Sequence, residues 1–143
     1  MKITQISVFL ENKKGRLFEA TKVLGKAKID IKALTIADAK DFGVLRIIVD
    51  KPQEAADVLK KNGFVASFTE IVAVEVADQP GGLSQVLGIF DKEDINVEYM
   101  YGFVEKQSDK ALLVFRFDNP DKAIAVLQKN KLPVVGKKEI QGL

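Results

Sequence analysis

The chain has 143 residues, 47% hydrophobic and 29% charged, with 22 basic against 20 acidic side chains and a net charge of +2. That balance leaves no electrostatic footprint for nucleic acid or an anionic membrane, and no apolar run approaches the ~20 residues that span a bilayer. Histidine and cysteine are both absent, which excludes disulfides, cysteine and serine–histidine nucleophiles and the common zinc sites.

The first residues pass directly into a strand pattern rather than a signal peptide, so the expected compartment is the cytoplasm. Ile6, Val8 and Leu10 alternate over residues 3–10 as in a half-buried strand. After a turn at Gly15, Leu17, Ala20, Val23, Leu24 and Ala27 recur at helical spacing. Residues 29–37 and 42–49 are rich in β-branched and apolar side chains, and the turn between them carries Asp38, Lys40 and Asp41, which predicts a hairpin. Pro52 opens a second helix, Ala55, Ala56, Val58 and Leu59 give it an apolar side, and Asn62-Gly63 ends it. A short strand, "FVASF", follows. The second half predicts strand 71–77, helix 82–93, strands 95–104 and 110–118, helix 120–130 and a last strand near 133–140.

The halves are copies of each other. Val8, Asn12, Gly15, Leu17, Lys26 and Ile29 fall on Val74, Asp78, Gly81, Leu83, Lys92 and Ile95 at an offset of 66 (12 to 78). Asp50, Pro52, Ala55, Val58, Leu59 and Asn62 fall on Asp118, Pro120, Ala123, Val126, Leu127 and Asn130 at an offset of 68 (50 to 118). The two extra residues are expected in a hairpin loop around "EKQSDK", at 105–110. Each copy reads βαββαβ, the split βαβ or ferredoxin-like arrangement. The fold class is therefore α+β: two tandem units, residues 1–68 and 69–143, each an antiparallel sheet with helices on one face. Apolar residues on the side expected to be free of helices, Phe9, Ala33 and Ile48 in one copy and Ala73, Tyr99, Tyr101 and Phe117 in the other, argue for a dimer that buries those faces or edges.

The loop between first strand and first helix is the candidate site. In copy two it reads Asp78-Gln79-Pro80-Gly81-Gly82-Leu83, and Pro80-Gly81 suits the centre of a type II turn. A helix start offers free N–H groups and positive dipole to a carboxylate, and glycine lets backbone approach a ligand. Asp78 or Asn12 can offer an oxygen to an ammonium. Each residue also has a structural reading. Asp78 serves as a helix cap, Gly15, Gly81 and Gly82 serve turn geometry, Lys13, Lys14 and Arg16 form a solvated loop, and Tyr99 and Tyr101 pack an interface.

The order βαββαβ, with Asp78-x-Pro80-Gly81-x-Leu83 after the first strand and Ile95-Asn96-Val97 leading into the second, resembles the ACT domain family. Copy one keeps Asn12, Gly15, Leu17 and Ile29-Asp30-Ile31 but has Lys14 in place of the proline and Arg16 after the glycine. Two tandem copies cover essentially the whole chain. The resemblance implies a non-enzymatic regulatory protein that binds a free amino acid at an interface between ACT units. It implies a ligand set of Asn12, Lys14, Gly15, Arg16, Leu17, Asp78, Gln79, Pro80, Gly81, Gly82, Leu83, Tyr99 and Tyr101, with no catalytic residue, metal or cofactor. Implied partners are a second copy and a metabolic enzyme or regulator, with neither nucleic acid nor membrane. The competing reading is an interaction module of the same fold that has lost its ligand. An RNA-binding sheet is disfavoured, because aromatic residues are missing from the expected places and the charge is nearly neutral.

Overall fold

The computed structural model describes residues 1–38, 40–105 and 108–143. Two compact units are present, one formed by Thr4–Thr69 and the other by Met1–Ile3 with Glu70–Leu143.

In the first unit, β1 (Ile3–Glu11) is followed by α1 (Arg16–Lys26), β2 (Ile31–Asp38), β3 (Phe42–Val49) and α2 (Pro52–Lys61). β3 pairs antiparallel with both β1 and β2, with Val8 opposite Leu45 and Ile36 opposite the same leucine. Alternation then does its work: Ile6, Val8 and Leu10 from β1 and Leu45, Ile47 and Val49 from β3 all face one side. There they meet Ala20 and Leu24 of α1 and Ala55 and Leu59 of α2, all essentially removed from water.

β4 (Val65–Val76) runs from the first unit into the second, which continues through α3 (Gly82–Lys92), β5 (Val97–Gly102), β6 (Ala111–Phe117), α4 (Pro120–Lys129), β7 (Val134–Val135) and α5 (Lys137–Gln141). β4 pairs antiparallel with β6 and β7, and β6 with β5. Val72, Val74 and Val76 face Val86 and Phe90 of α3 and Ala123 and Leu127 of α4. Phe90 meets Phe115 and Phe117 edge-on, with centroids 5.7 and 4.9 Å away. The two β6 rings are stacked at 5.5 Å.

Three sequence expectations need correction. Residues 64–68 and 71–77 are not separate strands; Thr69-Glu70 contains neither glycine nor proline, so nothing breaks the extended run of β4. The last strand is only two residues long, and the chain turns into α5, whose buried Ile140 and a bond from the Gly136 N–H to Glu139 Oε2 (2.9 Å) favour a helical turn. Phe117 is not on a free face: it shares a face with Phe115 because they are two residues apart, and both fill the helix-side core. Ala33, Ile48 and Ala73 are buried, whereas Phe9 is half exposed.

The duplication is visible in detail that the sequence comparison does not use. The Asp50 carboxylate accepts from the Asp30 N–H at 2.9 Å, and Asp118 accepts from Asn96 N–H at 3.2 Å. The register of β2 breaks between Ile31 and Ala33, and that of β5 between Val97 and Tyr99. Gly102 pairs with Leu113 where Ile36 pairs with Leu45, so the two extra residues lie between β5 and β6. The predicted insertion point includes Lys106 and Gln107, which lie outside the described residues.

The helices α1 to α4 all end in the same way. The N–H of Ile29, Phe64, Ile95 and Leu132 reaches back to the carbonyl of Leu24, Leu59, Phe90 and Leu127, at 2.9 to 3.0 Å. This is the Schellman closure, with an apolar residue just past the end folded onto the core. The residue before each takes a positive φ, 84° at Gly63 but 58°, 55° and 56° at Lys28, Asp94 and Lys131. An L side chain in that region costs about 1–2 kcal/mol. Replacing Lys131 by glycine is therefore expected to stabilise the protein by about 0.5–1 kcal/mol, after the larger chain entropy of glycine is subtracted. Urea unfolding would read this as a higher midpoint at unchanged slope, and an unchanged or lower midpoint would contradict it.

Candidate functional site

Both strand–helix loops are built alike. In copy one the Lys13 N–H donates to Glu11 O at 2.8 Å, and the Arg16 N–H reaches Lys13 O at 3.4 Å. In copy two the Gln79 N–H donates to Ala77 O and the Gly82 N–H to Gln79 O, both at 3.0 Å. Gly15 (φ 94°, ψ −17°) and Gly81 (φ 83°, ψ −7°) hold the third position of this turn. Those angles are near the +80°, 0° of a type II turn, which residues with a Cβ strongly resist. Pro80 supplies the preset φ of the second position in copy two; Lys14 stands there in copy one without altering the turn.

The helix N-cap positions belong to Gly15 and Gly81, not to Asn12 and Asp78. The capping role considered for Asp78 is thus corrected. The turn inserts three residues between the aspartate and the first helical residue, so the aspartate stands before the loop rather than at the helix.

In copy one the loop closes on the β2–β3 hairpin through the Asn12 N–H and Asp41 O, 3.0 Å apart. Beside it lies a cavity of about 370 Å³ lined by Leu10, Glu11, Asn12, Lys13, Leu17, Ile36, Asp38 and Gly43. Three aliphatic side chains share this lining with an acid, an amide and an ion pair, Lys13 Nζ to Glu11 Oε2 at 3.2 Å. Gly43 pairs with Leu10 on one side and Asp38 on the other, so register brings the start of β3 to the loop.

Of the ligand set implied by the family resemblance, Asn12 and Leu17 line this cavity. Gly15 and the exposed Lys14 belong to the turn. Arg16 points elsewhere. Its guanidinium lies 4.4 Å from the Phe64 ring centroid and binds Glu19 at 2.7 Å, a cation–π and ion-pair setting on the helix layer. Its Nε is buried without an acceptor among the described residues.

Copy two differs at the matching position. Gly82 is buried, and a Cβ there would stand 2.0 Å from the Ala77 carbonyl oxygen. Glycine is needed at this position for close approach of helix to strand end. Leu83 packs on the core of its unit, while Asp78, Gln79, Pro80 and Gly81 are exposed. Tyr99 and Tyr101 lie opposite Arg116 and Val114. They share the face opposite to Met100, which packs on the helix-side core. The cavity-lining Leu10, Glu11, Lys13, Ile36, Asp38 and Gly43 are not in the set drawn from the family resemblance. Lys13 was legible as loop charge and Asp38 as hairpin turn, but Leu10 and Ile36 read only as strand.

Two tandem βαββαβ units, each with a glycine turn between first strand and first helix, define the ACT class of ferredoxin-like domain. A family model described as "ACT domain pair" matches residues 1–143, and the chain belongs to that family. Among solved structures, protein BT0572 from Bacteroides thetaiotaomicron is 41% identical, with a TM-score of 0.93 over 100% of this chain and 98% of that one. The ligand-free regulatory subunit of aspartate kinase from Thermus thermophilus is 15% identical, with a TM-score of 0.63 over 88% of this chain and 91% of that one. E. coli aspartokinase III in complex with lysine and aspartate is 17% identical, with a TM-score of 0.52 over 90% of this chain and 30% of that one. At those identities the two kinases share the fold. No curated protein matches. Among the described residues, no helix is long and apolar enough to cross a membrane.

Two glycine substitutions separate packing from flexibility. Gly82→Ala drives a methyl group into backbone and is expected to cost about 1–3 kcal/mol. Gly88→Ala, in the interior of α3 with nothing within 4 Å of the added Cβ, is expected to gain about 0.5–1 kcal/mol. Calorimetric melting should therefore move in opposite directions for the two variants, and a neutral Gly82→Ala would remove the close-approach account.

Proposed function

We propose that this protein is a regulatory, non-enzymatic sensor of a free amino acid, working in the cytoplasm. The ligand occupies the region of the strand–helix loops. The supporting observation is the cavity of about 370 Å³ beside the first loop, within the 300–1,000 Å³ usual for small-molecule sites. A glycine turn holds the Arg16 N–H and leads there into a helix whose next N–H groups lack an intrahelical acceptor. Asn12 and Asp38 provide acceptors suited to an ammonium. Membership of the ACT family, and the amino acids bound to aspartokinase III, support the same ligand class.

In this reading a second copy of the chain completes a homodimer in which ACT units share the ligand, and the occupied form acts on a metabolic enzyme or regulator. The first repeat is the binding copy. The second loop has a separate explanation: Gly82 and Leu83 are held by packing, which supports a structural part for that copy.

A thermal-shift panel of the twenty amino acids against the full chain tests this. Ligand that binds only the folded state at a hundred times its Kd stabilises by about 2.7 kcal/mol, several degrees for a protein of this size. One or a few amino acids should raise Tm, and Asn12→Ala should abolish that shift while Asp78→Ala leaves it. Twenty flat responses at millimolar concentration would leave an interaction module as the better description.

A further inference from the structure

We propose that the cavity beside the first loop selects amino acids with an uncharged aliphatic side chain of the size of valine, leucine or isoleucine. This inference rests on the amino-acid-binding reading above and assigns its specificity. Leu10, Leu17 and Ile36 supply the apolar part of the lining. Leu10 is buried in the core, but Leu17 remains 41% and Ile36 50% exposed. An aliphatic group placed against them would remove that surface from water, which is where the hydrophobic effect favours such a ligand.

The second repeat shows that the fold does not require this exposed apolar lining. Register puts Gly102 opposite Leu113 as Ile36 is opposite Leu45, so the matching position there carries no side chain. The counterpart of Leu17 is Leu83, half-buried on its own core. Ile36 at this position is thus dispensable for the βαββαβ architecture, and its exposure beside a cavity calls for another reason.

Charge argues against a charged side chain on the ligand. The lining has three ionisable groups, and two of them, Glu11 and Lys13, pair with each other at 3.2 Å. The remaining acid, Asp38, and the Asn12 amide are matched to the α-ammonium that every free amino acid carries. A second cation or anion at the side-chain end would have to lie against Leu10, Leu17 and Ile36, where loss of hydration is uncompensated.

The size dependence is also specified. Burial of one methylene is worth roughly a fourfold change in affinity, so alanine, three carbons smaller than leucine, should bind weaker by tens of fold. Isothermal titration of the full chain with leucine, isoleucine, valine, alanine, lysine, aspartate and threonine tests this. Binding by the branched aliphatic amino acids, alanine weaker by at least tenfold, and no heat from lysine or aspartate at the same concentration are expected. Lysine, aspartate or threonine binding as tightly as leucine would overturn the specificity and leave the sensor reading standing. If none of the twenty amino acids binds, both fall.

Ile36→Ser and Leu17→Ala locate the site. Both side chains are half exposed, so each variant should melt near the parent temperature without ligand. Each is expected to weaken leucine binding at least tenfold, while Tyr99→Phe in the second repeat leaves it within twofold. Unchanged leucine affinity in a folded Ile36→Ser protein would overturn the assignment.

Discussion

Each repeat depends on a backbone reversal that a side chain would oppose. The chain leaves the first strand, turns through a glycine at φ 94° or 83°, and enters the first helix within a few residues. That reversal lays the helix back across the sheet it has just left. From there, Ala20 and Leu24, or Val86 and Phe90, reach the same strand faces that the second helix covers. A wider loop would displace the first helix from this face and uncover the core. Proline is an aid to the turn and not a condition for it, since Lys14 occupies its place in copy one.

From this shared framework the two loops diverge most in packing at the residue after the glycine, Arg16 in one and Gly82 in the other. Gly82 lets α3 press onto the Ala77 carbonyl, and Leu83 joins the core behind it. Arg16 stands at the matching point of copy one and carries its charge away to Phe64 and Glu19. The loop that best matches the family motif is therefore explained by packing. The loop that departs from the motif borders the cavity. Duplication makes such a division possible, because one copy can keep the structural demand while the other accommodates a ligand.

Much of the fold was legible because its determinants are local. Period-two alternation marked β1, runs of β-branched and apolar residues marked β2 and β3, the 3.6-residue period marked α1, Pro52 opened α2, and the repeat carried the same order into the second half. The failures were equally physical. Thr69-Glu70 carries no breaker, so two strands fused into β4. The final segment was too short for periodicity to separate strand from helix, and the burial of Ile140 decided for helix. Phe117 was assigned to the wrong face because its identity as an aromatic says nothing about which side of the sheet holds Phe90.

Taken alone, the sequence determined the duplication, the βαββαβ order, the glycine turns and the absence of histidine and cysteine chemistry. These are properties of residue type and spacing, so they survive without coordinates. The cavity at the first loop was decided only by tertiary structure. Leu10, Leu17, Ile36 and Gly43 come from three strands and a helix, and β-sheet register is what places them around one space. The same holds for the setting of Arg16, whose guanidinium lies over the ring of Phe64, 48 residues further on (16 to 64). Residue chemistry specifies what a group can bind; the distant chain segments that fold against it determine what it does bind.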